Sequence, residues 1–312
     1  MKPLLSVVVP VYNEEGNVVE LHKELVSVMN SLKQSYECVF VNDGSTDGTL
    51  AELRNLPGAI VIDLARNYGQ SVALDAGFKS AQGSIIVTLD GDCQNDPHDI
   101  PKLLEVLVDP AVDVAAGWRK SRMDAQGVKV ITRTARTLRR MLLGDYIHDS
   151  GCTLRAYRRA AIESVDLSGE MHRYLLALLV WKGFRVVEVP VNHRARTRGV
   201  SKYGYSKAVR GLIDLLYVWF LYRYAERPLH LFGYMSFTAF TFGVASFAIT
   251  LHDKLVLHIH LNRDGWFFLT FFFLIMAVML FSFGLVIDLL MRIFHNTSLN
   301  EKRYYIRSIE KN

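Results

Sequence analysis

Cysteine is the first scarcity. The 312-residue chain carries three, Cys38, Cys93 and Cys152, scattered along it and odd in number. They lack the paired spacing of a zinc site or a disulfide framework, so free thiols in a reducing compartment are expected. Internal repeats and low-complexity tracts are also missing, which argues against a solenoid or a solvated tail. No cleavable signal is expected ahead of Pro3, because the first apolar run ends at Pro10 and Val11 and leads straight into polar residues.

The most telling absence is local. Charged residues make up 21% of the chain, yet Leu229–Leu251 (LHLFGYMSFTAFTFGVASFAITL) and Trp266–Ile287 (WFFLTFFFLIMAVMLFSFGLVI) hold no Asp, Glu, Lys or Arg. A bilayer-spanning helix needs about 20 apolar residues. The alternative is a buried helical hairpin in a large core, but the aromatic crowding favours a membrane. Lys202, Lys207, Arg210, Arg223 and Arg227 precede the first stretch, and Arg292, Lys302, Arg303, Arg307 and Lys311 follow the second. The short loop between them carries acids and bases in equal number. The positive-inside rule therefore expects both termini, and the large N-terminal domain, in the cytoplasm.

Hydrophobic residues reach 50% and mean hydropathy is +0.16, high for a soluble protein, while the net charge is +5. The basic residues gather beside the apolar stretches and in Arg119–Arg140, so anionic lipid or phosphate is the expected partner and nucleic acid is not. Even so, charge alone leaves the Arg119–Arg140 run readable as a solvated helix face. Residues 204–228 place Val209, Leu212, Ile213, Leu216 and Phe220 at helical spacing, the pattern of an amphipathic helix lying on a bilayer surface. The expected organisation is a domain over 1–203, this interfacial helix over 204–228, a transmembrane hairpin over 229–291 and a cytoplasmic tail over 292–312.

What remains is rich in alternation. Strands are expected at Leu5–Val9, Glu37–Val41, Ala59–Asp63, Ser84–Leu89 and Asp113–Ala116. Helices are expected between them at Asn17–Leu32, Thr46–Arg54, Gln70–Ser80 and His98–Val108. This order predicts an α/β fold, a mostly parallel sheet with helices on both faces, in which ligands bind beyond the carboxyl ends of the strands. Three polar clusters fall there: Val11-Tyr12-Asn13-Glu14-Glu15, Asn42-Asp43-Gly44-Ser45-Thr46-Asp47, and Asp90-Gly91-Asp92.

Two carboxylates one residue apart at a strand end can turn toward one hard cation together with substrate phosphates. Alone, an Asp-x-Asp is also a common turn. In the second cluster, Ser45, Thr46 and Asp47 read as turn and helix cap, whereas Asp43 is placed to accept hydrogen bonds from the N–H edge of a base such as uracil. Tyr12 and Glu14 would hold the same nucleoside, and Glu15 reads as a solvated charge at a helix start.

PVYNEE, NDGSTD and DGDCQNDP, in this order and spacing, resemble the donor-binding signature of family 2 glycosyltransferases with the GT-A fold. ARNYGQSVALDAGF, DSGCTLRAYRR and RTRGVSKYG, followed by two spans, are similar to the bacterial polyprenyl-phosphate glycosyltransferases, relatives of dolichol-phosphate mannose synthase and the undecaprenyl-phosphate aminoarabinose transferases. The motifs cover residues 5 to about 215. The resemblance implies that Asp90, Asp92 and Gln94 hold a divalent metal, Mg²⁺ or Mn²⁺, and the donor diphosphate. It places Pro10, Tyr12, Glu14 and Asp43 in a nucleoside pocket closed by Arg66-Asn67-Tyr68-Gly69. Asp149 falls near the reacting centre. Arg196, Ser201 and Lys202 match an Arg…Gly-x-Ser-Lys element over the donor diphosphate or acceptor phosphate, and Arg119 and Arg122 are candidates for the lipid phosphate.

The implied activity is an inverting transfer of one sugar from a nucleotide diphosphate sugar, with UDP the expected nucleotide, to undecaprenyl phosphate or a similar lipid in the inner membrane. A homo-oligomer stays open. A processive polysaccharide synthase would need several spans and a Gln-x-x-Arg-Trp motif, neither of which is present. A non-catalytic membrane-tethered binding protein is opposed by the joint presence of Asp43, Asp90, Asp92, Gln94 and Arg196.

Overall fold

Runs of β-branched residues with helical patterns between them fold as the alternation predicts. The structure, a computed structural model, describes residues 3–120, 137–144, 146–167, 169–194, 205–224, 227–261 and 264–297. Its strands are β1 (Leu5–Val11), β2 (Tyr36–Asn42), β3 (Ala59–Asp63), β4 (Ile85–Thr88), β5 (Val114–Trp118), β6 (Arg155–Arg158) and β7 (Val186–Pro190). The helices of the same region are α1 (Asn17–Ser31), α2 (Thr49–Arg54), α3 (Gln70–Ser80), α4 (Ile100–Val106), α5 (Arg159–Ile162) and α6 (Leu175–Trp181). The strands form one sheet in the order β3-β2-β1-β4-β6-β5-β7. Only β6 runs against its neighbours, β4 and β5.

Alternate side chains of a strand face opposite sides, and β1 uses both. Leu5, Val7, Val9 and Val11 pack with α1, α2 and α4 through Val18, Leu21, Leu25, Leu53 and Leu103. Val8 faces the other way, joining Val39, Val41 and Ile86 against Ala73, Leu74 and Phe78 of α3 and Leu175, Leu176 and Leu179 of α6. The sheet is therefore covered on both faces, and its polar chemistry is confined to its ends.

Two strands escape the pattern reading. β6 (RAYR) and β7 (VVEVP) carry Arg, Tyr and Glu where a buried strand is expected to be apolar. Tertiary hydrogen bonds satisfy these groups. Arg155, on β6, donates to the Cys152 carbonyl at 2.7 Å and the Ser150 carbonyl at 2.6 Å. Boundaries shift for local reasons as well. α2 starts at Thr49 and not Thr46 because Asp47 Oδ1 accepts the Thr49 N–H at 3.0 Å. Before α4, a 3₁₀ turn over Pro97–Asp99 starts at Asp96, whose side chain accepts the His98 N–H.

Further along lie α7 (Tyr205–Tyr224), α8 (Pro228–Leu255) and α9 (Gly265–Thr297); two compact units divide within α7, after Leu215. Leu212, Ile213, Leu216 and Tyr217 of α7 are exposed and share one side of the helix by their spacing. Helices α8 and α9 are each long and apolar enough to cross a membrane. They meet through small residues: a Cβ on Gly243 would lie 2.9 Å from Leu274, and one on Gly284 2.8 Å from Phe232. Ser236 Oγ donates to the Ala277 carbonyl at 2.8 Å. Their outer surface is apolar, with Tyr234, Phe237, Phe268 and Val278 exposed. Water would penalise such a surface and lipid would not.

Helix α3 lies close to the sheet at Gly77, where a Cβ would sit 2.3 Å from Val8 Cγ1 and 3.1 Å from Val41 Cγ2. Overpacking of this kind costs about 1–3 kcal/mol. Gly77→Ala is expected to lower the melting temperature of the detergent-solubilised protein by several degrees, read by intrinsic fluorescence. An unchanged melting point would mean that α3 can retreat from the sheet.

Candidate active site

The carboxyl ends of β1, β2, β4, β5 and β7 and the amino end of β6 lie along one rim of the sheet, as the register dictates. A cleft of about 310 Å³ opens there. Pro10, Val11, Tyr12 and Glu14 line it from β1, Asp43 from β2, Asn67, Gly69, Gln70 and Ala73 from the start of α3, and Asp90, Gly91 and Asp92 from β4. All three acidic clusters of the sequence thus converge on one cleft.

Hydrogen bonds between loops fix its walls. Asp43, buried, accepts the Tyr68 N–H at 2.7 Å on Oδ1 and the Gly69 N–H at 2.9 Å on Oδ2. Gly44 has φ +67, and a Cβ there would meet the Arg66 carbonyl carbon at 2.3 Å. The loop over Arg66–Gly69 is therefore clamped onto the end of β2 by a carboxylate and by a missing side chain. Asn13 Oδ1 accepts the Thr46 N–H at 2.8 Å, and Ser45 Oγ accepts the Asn13 N–H at 3.0 Å. Glu14 accepts Asn17 Nδ2 at 2.7 Å, and Glu15 is not simply solvated, since Oε2 takes the Gly48 N–H at 2.9 Å.

At the cleft floor, Asp90 Oδ1 accepts Gln70 Nε2 at 2.7 Å. Its carboxyl is pushed up to about 6, first by burial and then by the charge of Asp92, against the opposing pull of a Thr153 hydrogen bond, Arg155 and Arg119. Asp92 Oδ1 accepts the Gln94 N–H at 3.1 Å, and the Gln94 carbonyl accepts the Arg194 N–H at 2.9 Å. Among the described residues no Lys or Arg bonds Asp90 directly. A buried carboxyl beside a second carboxylate, both lining an open cleft, has the donor chemistry of a hard-cation site.

Residues 6–166 match Glycosyl transferase family 2. The chain is 36% identical over 316 residues to dodecaprenyl-phosphate galacturonate synthase of Rhizobium johnstonii, covering 98% of this chain and 92% of that protein. It is 33% identical over 312 residues to undecaprenyl-phosphate 4-deoxy-4-formamido-L-arabinose transferase of Edwardsiella ictaluri, covering 98% and 94%. The chain belongs to glycosyl transferase family 2. Its fold is similar to that of glucosyl-3-phosphoglycerate synthase from Mycobacterium tuberculosis, solved with Mn²⁺, UDP and glucosyl-3-phosphoglycerate. The TM-score is 0.53 at 20% identity, over 70% of this chain and 80% of that one.

The other half of the glycosyltransferase rim is organised by an ion pair. Asp149 and Arg119, each 11% exposed at the side chain, meet through Nε–Oδ2 at 2.7 Å and a second guanidinium nitrogen on Oδ1 at 2.9 Å. Asp149 Oδ2 also accepts the Arg119 N–H at 3.2 Å, and Oδ1 the Gly151 N–H at 3.2 Å. These four donors are enough to engage the four lone-pair positions of the carboxylate. Arg119 keeps a second guanidinium edge that bonds nothing among the described residues. Arg122, Arg196, Ser201 and Lys202 lie outside the described residues.

Several contributors had no signal of their own in the sequence. Gln70 sat within a recognised motif without an assigned role. Ser71 Oγ pairs with His172 Nδ1 at 2.8 Å and accepts the His172 N–H at 3.1 Å, tying a 3₁₀ turn over Met171–Tyr174 to α3. His172 drops to about 4 through burial and the charges of Arg173 and Arg155, so its imidazole is neutral at pH 7. Glu24, Asp96 and His98 approach within 4.8 Å of one another. Arg194 already bridges the two acids, at 2.8 Å to each, so the carboxylates have a cationic partner within the chain.

Asp43→Asn removes one of the two anionic acceptors clamping the loop over Arg66–Gly69. Hydrogen bonds to a charged group contribute about 1.5–3 kcal/mol, so the Tyr68 and Gly69 amides are expected to exchange with deuterium at least about tenfold faster. Unchanged exchange across that peptide would show that the loop holds without Asp43.

Proposed function

We propose that this family 2 glycosyltransferase moves a single sugar, with inversion, from a nucleotide diphosphate sugar to a polyprenyl phosphate such as undecaprenyl phosphate. One observation carries the acceptor class: Asp149, the acid assigned to the reacting centre, has every lone pair engaged, while the Arg119 it grips keeps an edge that bonds nothing among the described residues. A hydroxyl acceptor needs a base to take its proton. A phosphate arrives already ionised and needs a guanidinium instead. The full-length relatives, named for dodecaprenyl and undecaprenyl phosphate, support the same reading.

Transfer would proceed by attack of a lipid phosphate oxygen on the anomeric carbon. The bond from that carbon to the donor's β-phosphate oxygen breaks, and the nucleoside diphosphate leaves with the electron pair. Pro10, Tyr12, Glu14, Asp43 and Asn67 would hold the nucleoside, for which UDP is the reading favoured by the Asp43 and Tyr12 positions. Arg119, oriented by Asp149, would hold the acceptor phosphate. Arg122 and Ser201 are assigned to the same phosphate, and Arg196 and Lys202 to the diphosphate charge. Asp90, Asp92 and Gln94 would bind Mg²⁺ or Mn²⁺, which supplies electrostatic stabilisation to the leaving diphosphate. The membrane hairpin keeps the enzyme on the leaflet that contains its acceptor. From the distribution of Lys and Arg, that leaflet is the cytoplasmic one of the inner membrane.

Purified enzyme incubated with undecaprenyl phosphate and a panel of nucleotide sugars is expected to yield a lipid heavier by one glycosyl unit, read by mass spectrometry. EDTA should stop the reaction and Mg²⁺ or Mn²⁺ restore it, and Asp92→Ala should lower kcat by at least about 100-fold. Transfer to a soluble hydroxyl acceptor but never to the lipid phosphate would overturn the acceptor, and EDTA-resistant turnover would overturn the metal.

The acceptor's own ionisation sets a pH signature. The second pKa of a phosphate monoester is about 6, so the rate should rise with pH through about 6 as the dianion forms. Asp149→Asn should lower the plateau and leave this acid limb in place. Loss of the limb in that variant would make Asp149 a titrating base.

A further inference from the structure

Glu188 belongs to none of the motif clusters. It lies on β7, opposite Ala116 of β5 in register, with a side chain only 9% exposed. Its carboxylate takes three donors from the turn that leads into β6. Oε1 accepts the backbone N–H of His148 at 2.9 Å and of Asp149 at 3.1 Å, while Oε2 meets His148 Nδ1 at 2.7 Å. The same imidazole stacks on Trp118, at the end of β5, with centroids 4.8 Å apart and planes 23° apart. One side chain thus binds two consecutive peptide groups and the ring between them.

Fixing consecutive amides fixes the peptide planes, and with them the direction in which the Asp149 side chain leaves the backbone. Asp149 then holds Arg119 through both oxygens. We propose that Glu188 is a positioning residue for the acceptor side of the site, acting through the Asp149–Arg119 pair and not by touching substrate. This rests on Arg119 as the acceptor-phosphate ligand. A displacement of about 1 Å in such a group can cost about 100-fold in rate.

The test uses the full chain in detergent with undecaprenyl phosphate and whichever nucleotide sugar the wild type turns over. Glu188→Ala is expected to lower kcat/KM for the lipid phosphate about 30-fold. Glu188→Gln, which keeps one carbonyl for the two amides, should lower it about threefold, and the donor KM should stay within about twofold in both. Arg119→Lys keeps the charge but loses the two-toothed contact with Asp149. In that background Glu188→Ala should change little, by less than about twofold, because the path it acts through is already broken. The same fold loss in both backgrounds, a loss falling on donor KM, or wild-type kinetics for Glu188→Ala would overturn the proposal. Should Glu188→Ala not fold, Glu188→Gln carries the same comparison against Arg119→Lys. A wild type inert toward undecaprenyl phosphate would instead overturn the acceptor reading, and the positioning role with it.

Discussion

Two carboxylates one residue apart at the floor of a cleft repel each other, and much of the surrounding structure answers that repulsion. Gln70 and Thr153 donate neutral hydrogen bonds to Asp90, and Arg155 and Arg119 oppose its charge from further away. None of these is a bonded cation, so Asp90 is held ionisable without being quenched. The buried guanidinium of Arg155 spends its contacts on the carbonyls of Ser150 and Cys152, and Arg119 spends one edge on Asp149. Neither Arg155 nor Arg119 bonds Asp90, whose carboxyl lines the open cleft.

A second device recurs along the rim, in which an acidic side chain takes the backbone amides of a loop from another part of the chain. Asp43 holds Tyr68 and Gly69, Asp99 holds the Asn192 amide at 2.6 Å, and Glu188 holds His148 and Asp149. Each clamp joins segments at least 25 residues apart, so the rim is a web of long-range contacts built from carboxylates. An acidic residue at a strand end here can line the cleft, hold the backbone or do both, as Asp43 does, and its sequence neighbours do not say which.

That ambiguity explains what could be read in advance. Strands β1 to β4 announce themselves through Val and Ile, β5 through a short run of Val and Ala, and the polar clusters after β1, β2 and β4 sit where a parallel sheet must gather its ligand contacts. Pro10, Tyr12, Glu14, Asp43, Asn67, Asp90 and Asp92 do line one cleft. β6 and β7 were illegible because Arg155 and Glu188 look wrong for a strand until their distant partners are seen. Gln70 and Glu188 likewise gain meaning only from contacts 20 and about 40 positions away, a range over which local periodicity carries no information.

Because β6 runs against its neighbours, the chain leaves the sheet after β5 and re-enters at β6 on the same rim. Arg119 and Asp149 stand at the exit and the entrance, and their two-toothed contact closes the excursion at its base like a drawstring. The length of what lies between is therefore uncoupled from strand register. Closing a longer loop adds only about 0.6 kcal/mol per doubling, so the length of this excursion can change in evolution while β5 and β6 keep their register. A scaffold of this kind can change what it delivers a sugar to without relearning how to hold the donor.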